Sequence, residues 1–246
     1  MSGSATGPSL DKDPRRIADM FDAIAHRYDQ LNRMLSVGLD RQWRRRAVEA
    51  LELPSGARVL DVCTGTADLA MMAARQVSMP RLVVGVDFAG EMLALGQNKL
   101  RGTGLDKTIL LARGDACRLP CLADSVDAVT MGFGIRNVAD TGAAVAEIFR
   151  VLKPGGSLAL LEFGEPTLPA VRFLYLWYFR RVLPRIGRVL SRHSEAYAYL
   201  PASVSAFLAP EALVGLLRRS GFCEVRLDRL TFGAVCLYSG KKSAEA

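Results

Sequence analysis

The sequence predicts an α/β fold: a doubly wound, mostly parallel sheet of seven strands, with N-terminal helices and a helical insertion before a C-terminal hairpin. Three observations carry this prediction. The strand-like segments, such as Val59-Leu60 and Leu82-Val83-Val84, are near-continuous apolar runs, as in strands covered on both faces. They alternate with helical segments along the chain. The 246 residues, 50% of them hydrophobic, are enough for one domain with a full core. Internal repeats and low-complexity blocks are absent from the sequence.

Residues Met1 to Pro14 are rich in Ser, Gly, Pro and Asp and lack an apolar run, so they read as a disordered tail rather than a signal peptide. Residues 15–246 then form a single domain. From Ile17 through Tyr28 to Gly38, apolar residues recur at helical intervals, and a basic helix around Trp43-Arg44-Arg45-Arg46 runs toward Leu51. This helical pair, residues 15–55, is expected to fold as a lid over the carboxyl ends of the strands. Val59 to Leu69 reads as a strand, a tight turn and a helix. Leu82 to Asp87 is a second strand, and Leu110 to Pro120 a third that ends in Gly-Asp-Ala. Val126 to Phe133 is a fourth strand and leads to Gly134-Ile135-Arg136-Asn137. A helix from Ala143 to Leu152 is stopped by Lys153-Pro-Gly-Gly156, and Ser157 to Phe163 is the fifth strand. Residues 164–209 interrupt the sheet as an insertion that faces substrate and membrane. Pro210 to Arg219 is a helix with Pro in its first turn, and Gly221–Leu227 with Phe232–Tyr238 forms the hairpin.

The turn after the first strand limits the ligand. A pyrophosphate binder needs glycines that let backbone N–H groups close on the phosphates. Here Gly65 stands among Cys63, Thr64, Thr66 and Ala67, and neither a G-x-G-x-x-G nor a P-loop run occurs. A close turn without a phosphate cradle suits a nucleoside that carries no phosphate, and S-adenosylmethionine is one. Asp61 and Asp68 lie where a carboxylate meets the ammonium of its tail. Asp87, roughly 20 residues on at a strand tip, is placed to accept both ribose hydroxyls. The plainer role for Asp87 is to cap the next helix. Asp115 can accept from an adenine amino group, with the Ala116 N–H facing a ring nitrogen.

The formal net charge is +7. From Pro166 to Ser194 there is no acid, while Arg172, Arg180, Arg181, Arg185, Arg188 and Arg192 interleave with Leu174-Tyr-Leu-Trp-Tyr-Phe179. This segment is too short and too Arg-rich to span a bilayer. It reads either as a membrane-surface segment facing anionic lipid or as a helix packed on the domain with solvated arginines. RNA binding fits less well, because the aromatics cluster with aliphatics. The five cysteines are scattered and odd in number, and His26 and His193 are the only histidines. Reduced cytosolic thiols are therefore expected, and no metal site.

From about Asp19 to Gly240 the chain resembles the quinone-ring C-methyltransferases of menaquinone and ubiquinone biosynthesis. The resemblance rests on Tyr28-Asp29-x-x-Asn32-x-x-x-Ser36 with Trp43, the Asp61 turn, Asp87, and Phe133-Gly-Ile-Arg-Asn137. It extends to Arg150-Val-Leu-Lys-Pro-Gly-Gly156, Leu183-Pro-Arg-Ile-Gly187, and Tyr197-x-Tyr-Leu-Pro201 with Ser203. The chain departs from the enterobacterial pattern at Gly132, where that pattern has a serine. The resemblance implies a class I S-adenosylmethionine-dependent methyltransferase, with the donor at Thr66, Asp87, Asp115 and Ala116. It implies a polyprenylated demethylquinol as acceptor, demethylmenaquinol in the first place and the ubiquinone-pathway benzoquinol as the alternative. Arg136 would stabilise a phenolate and Asn137 would orient it. Tyr28, Asp29, His193 and Tyr197 would line the substrate pocket, with a neutral His193 able to take the hydroxyl proton. The expected setting is cytoplasmic, with transient contact at the inner face of a membrane, no nucleic acid partner and no metal. Oligomeric state is left open. A reading of another class is a scaffold that binds the donor without chemistry.

Overall fold

A computed structural model describes residues 12–76, 78–178, 181 and 194–244. The expected tail therefore falls largely outside the described residues, as does His193. Strands β1 (Arg58–Val62), β2 (Leu82–Asp87), β3 (Ile109–Arg113), β4 (Val126–Gly132), β5 (Leu152–Phe163), β6 (Phe222–Leu230) and β7 (Val235–Lys242) form one seven-stranded sheet in the order β3-β2-β1-β4-β5-β7-β6. The pairings from β3 through β5 are parallel, and β7 pairs antiparallel with both β5 and β6. The chain reverses its direction of travel across the sheet between β1 and β4. In such sheets the crevice for a ligand opens at that point, beyond the carboxyl ends of the strands.

The apolar runs of the sequence explain the layers. Adjacent side chains on β1 point to opposite faces, and both Val59 and Leu60 are fully buried. One face is covered by α2 (Asp40–Glu49), α3 (Asp68–Ala74) and α4 (Gly90–Leu100), which bury Ala47, Val48, Ala70 and Leu100 against Val83 and Leu161. The other is covered by α5 (Thr141–Val151) and by the helix that precedes β6, with Ile148 and Leu217 packed on Val129 and Leu158.

Helix α1 (Pro14–Leu35) starts where Pro occupies the first turn and the Asp13 carboxylate accepts from the N–H groups of Arg15 and Arg16 at 2.8 and 3.3 Å. It packs on α4 and, further along the chain, on α7 (Ser194–Ala206). Between β5 and α7 lies α6 (Pro169–Trp177), and α8 (Pro210–Arg219) leads into β6. The two N-terminal helices part company: α1 lies across the strand tips, whereas α2 buries Ala47 and Val48 against the sheet and sends only its first residues toward the ligand end.

The Lys153-Pro-Gly-Gly156 run differs from expectation. Helix α5 stops at Val151, but β5 already begins at Leu152, and the run is a bulge inside the strand. Val126 pairs with Leu152, and Ala128 next pairs with Ser157. The bulge needs its glycines. Gly155 has φ of +77°, and a Cβ on Gly156 would lie 2.9 Å from the Lys153 carbonyl oxygen.

Candidate active site

The turn after β1 is held from below. Asp61 is 1% exposed, and its carboxylate accepts from the hydroxyls of Thr64 at 2.6 Å and Thr130 at 2.7 Å. Burial pushes its pKa up to about 6, and the two hydroxyl bonds work in the other direction. Asp61 thus braces the turn and borders neither cavity described below, contrary to the expected contact with the donor. Cys63, Gly65 and Ala67 have φ of 54°, 55° and 66°, so three left-handed residues close the turn tightly. Thr66 is buried too, and its hydroxyl donates to Asp29 Oδ1 at 2.6 Å.

A narrow cleft of about 100 Å³ opens above this turn. Asp87 ends β2 at its edge. The Gly65 N–H donates to its Oδ2 at 2.7 Å and the Ala89 N–H to its Oδ1 at 2.9 Å. The second bond closes a local turn two residues long; it stops at Ala89, the residue before α4, so Asp87 does not cap that helix. The Phe88 N–H also acts on this carboxylate, which with about four acceptor positions still has room for a ligand hydroxyl. Burial raises the Asp87 pKa and these N–H bonds oppose the rise. Asp115, whose Oδ1 accepts from the Cys117 N–H at 2.8 Å, and Ala116 line the same cleft, with Phe88 and Met92 as apolar walls. Two carboxylates, an apolar slot and no glycine cradle fit an adenosyl group with an amino-acid tail and do not fit a pyrophosphate. S-adenosylmethionine matches this donor set, and Asp87, Asp115 and Ala116 lie together on the cleft wall.

A second cavity, about 520 Å³ and walled mainly by apolar and aromatic side chains, lies beside the first. Phe21, Tyr28 and Phe133 line both, so the two meet at one junction. Tyr28 is partly buried there, and loss of water around its hydroxyl raises its pKa against a bond to Asn32. The short 3-10 turn Ile135–Asn137 sits at this junction. Arg136 lines the larger cavity and Asn137 the cleft.

Arg136 is 6% exposed and pinned on several sides. Its Nη1 donates to Glu162 Oε1 at 2.7 Å and to the Phe133 carbonyl at 2.6 Å, and its Nε reaches Ser203 Oγ at 3.4 Å. Its guanidinium lies 5.2 Å from the centre of the Phe163 ring. Asn137 Oδ1 accepts from the Tyr199 hydroxyl at 3.2 Å. Glu162 escaped the sequence reading, although an acid closing the apolar run Leu158-Ala-Leu-Leu is a legible signal for a buried partner.

The expected pocket residues divide. Tyr28 lines both cavities. Asp29 borders neither and pairs instead with Thr66 and Lys99. The Tyr197 backbone lies on α7, its side chain falls outside the described residues, and Tyr199 from the same motif faces the larger cavity. Among the described residues no group of three or more His, Cys, Asp or Glu side chains could hold a metal ion.

A doubly wound sheet with an acid at the tip of β2, a single-glycine turn beside it and an acceptor cavity opening on the same point defines a class I S-adenosylmethionine-dependent methyltransferase. Solved structures share the fold. An S-adenosylmethionine-dependent methyltransferase from Thermotoga maritima is 19% identical, with 92% of this chain and 100% of that chain covered and a TM-score of 0.62. The [4+2]-cyclase SpnF is 18% identical, with 99% of both chains covered and a TM-score of 0.69. Within that class, residues 10–242 match the ubiE/COQ5 methyltransferase family, and the chain belongs to it. The demethylmenaquinone methyltransferase of Thermus thermophilus is 47% identical, covering 91% of this chain and 100% of the relative. The ubiquinone/menaquinone biosynthesis C-methyltransferase UbiE of Geobacter sp. (strain M21) is 44% identical, covering 95% and 99%.

Proposed function

We propose that this enzyme transfers a methyl group from S-adenosylmethionine to a ring carbon of a polyprenylated demethylquinol, converting demethylmenaquinol to menaquinol. The observation that carries this reading is the junction of the two cavities. A cleft with the donor's polar complement meets a large apolar cavity through Phe21, Tyr28 and Phe133, with Asn137 on the cleft side and Arg136 on the cavity side. The names of the relatives support the same acceptor class. Relatives named for both pathways favour a second acceptor, the ubiquinone-pathway benzoquinol.

Bound S-adenosylmethionine supplies an activated methyl group on its sulfonium. The ring carbon of a quinol becomes nucleophilic when the neighbouring hydroxyl loses its proton. A guanidinium offers five donors and no acceptor, so Arg136 is not the group that takes that proton. Its guanidinium, fixed by Glu162 and the Phe133 carbonyl, stabilises the phenolate while the hydroxyl proton passes to water. The ring carbon then takes the methyl from sulfur, S-adenosylhomocysteine leaves, and the displaced ring proton is released to solvent as the ring regains its aromaticity. Asn137, one residue on, orients the acceptor against the donor cleft, and Tyr199 steadies it. The rest of the acceleration comes from orientation.

The polyprenyl tail supports a place of work at the inner face of the membrane. Val37, Leu174 and Trp177 line the larger cavity and are also exposed at its mouth. Among the described residues no single helix is long and apolar enough to cross a membrane.

The test is methyl transfer from labelled S-adenosylmethionine to demethylmenaquinol and to the demethylated benzoquinol in detergent, with products identified by mass. Methylated naphthoquinol is expected. Arg136→Ala and Arg136→Lys should lower turnover about 100-fold or more while S-adenosylhomocysteine still binds. Full turnover in both variants would remove Arg136 from the mechanism.

A further inference from the structure

A chain of charges runs beneath the donor cleft and has no part in the mechanism above. Asp29 follows Tyr28 on α1. Its Oδ1 accepts from the Thr66 hydroxyl at 2.6 Å, and its Oδ2 pairs with Lys99 Nζ at 2.8 Å. Lys99, in the last turn of α4, also donates to Thr66 Oγ1 at 3.0 Å and pairs with Asp68 at the start of α3. Asp68 lies 4.0 Å from Arg44 Nη2 on α2, and Arg44 pairs with Asp40. Asp40 in turn accepts from Ser36 Oγ, just past the end of α1, at 2.9 Å. The chain thus fastens both ends of the second half of α1 to α2, α3 and α4. It passes through Thr66, next to the Gly65 whose N–H holds Asp87.

The exposure of these groups decides what they can do. The side chains of Asp29, Asp68 and Lys99 are 30%, 29% and 29% exposed. Fully buried charges would fix α1 permanently, because separating them would strand a charge in apolar surroundings. Fully exposed ones would contribute almost nothing. Half-covered pairs hold α1 down yet can be replaced by water when it lifts. Helix α1 supplies one wall of the donor cleft through Pro14, Ile17, Phe21 and Tyr28, so its position sets how closely the cleft wraps a ligand.

We propose that Asp29 and Lys99 form a latch that closes α1 over the bound donor, and that Asp29 is a positioning residue for methyl transfer. Directly, and through Lys99, it fixes Thr66 beneath the cleft. Through the helix it sets the adjacent Tyr28 at the junction of the two cavities. This inference rests on the cleft being the S-adenosylmethionine site.

The experiment combines calorimetry with S-adenosylhomocysteine and hydrogen exchange of residues 14–35 on the full chain. It compares wild type, Asp29→Asn, Lys99→Met and the double variant. In wild type the ligand should slow exchange across α1. Each single variant should bind about tenfold more weakly and lose that protection. The double variant should be no weaker than the worse single one, because both changes open one latch. Asp29→Glu should restore part of the affinity, which a merely structural lesion would not allow. Should Asp29→Asn fail to fold, Lys99→Met carries the same expectation. Affinity and protection equal to wild type in Lys99→Met, or additive losses in the double variant, would overturn the latch. Failure of wild type to bind S-adenosylhomocysteine would instead overturn the reading of the cleft.

Discussion

Glu162 shows what one buried acid does for this site. It has no exposed surface, and its oxygens accept from Arg136 Nη1, the Arg136 N–H and the Phe163 N–H. Without it the guanidinium would stay buried beside the acceptor cavity with an uncompensated charge. Glu162→Leu should therefore destabilise the fold by about 3–5 kcal/mol in urea unfolding, the usual range when one partner of a buried pair is removed. Glu162→Gln keeps the shape and should lose less stability, yet it should lower kcat more than it raises KM, because the phenolate contact is misplaced. Asp61 gives a prediction with a definite sign. Its native pKa of about 6 lies above the ordinary 3.8, so between those values the folded chain binds more protons than the unfolded one. Its contribution to stability is present in full below the lower value and is lost as pH rises through the upper. Asp61→Asn should remove this dependence. The variant should gain on wild type as pH rises from about 4 to about 6, by up to about 3 kcal/mol. Urea titrations of both proteins across that window check it, and a constant difference would refute it.

Among the elements, the two short turns at the strand tips are built against each other. A Cβ on Gly134 would fall 2.4 Å from the Cβ of Cys63, which is itself left-handed with φ of 54°. Gly134→Ala must push the turn after β1 away from the turn that carries Arg136 and Asn137. Overpacking of this kind costs about 1–3 kcal/mol. Because it moves both halves of the site, S-adenosylhomocysteine affinity and turnover should fall together, read by calorimetry and by the quinol assay. The strands were legible as near-continuous apolar runs and the helices by their period, and Asp87 and Asp115 stood out as acids at or just past the ends of such runs. The partner of Asp29 was not legible, since Lys99 lies 70 residues away and such a pairing leaves no local pattern. The brace beneath the turn escaped for the same reason. Asp61 looks like any acid near a ligand until Thr130, from β4, is seen to bond it from the next strand. The bulge at the start of β5 was read as a helix stop because Pro and paired Gly signal either event.

At the scale of the whole molecule, the larger cavity must admit an acceptor whose tail belongs in lipid. Its mouth lies between the connection from α1 to α2 and helix α6. Val37 is 86% exposed there, Leu174 62% and Trp177 50%, and Phe173 of α6 is exposed as well. Among the described residues these exposed apolar side chains are grouped around one opening, and grouping of this kind marks an interaction surface. The net charge of +7 adds attraction to an anionic surface. If the mouth docks on the bilayer, a prenylated quinol can enter headgroup first with its tail still in lipid. The full chain should therefore float with vesicles of phosphatidylcholine containing phosphatidylglycerol, and more weakly at 0.5 M salt, where charge attraction is screened. Burying one large apolar side chain contributes about 1.5–3 kcal/mol, so Leu174→Ser with Trp177→Ser should lower partitioning by about tenfold or more. Two acceptors separate docking from damage to the cavity. With a long-tailed quinol presented in vesicles the double variant should show a raised KM. With a short-tailed quinol in solution its KM should rise much less, because only the share these side chains have in the cavity wall is then lost. An equal rise for both acceptors would place these residues in the cavity wall alone and end the case for membrane docking.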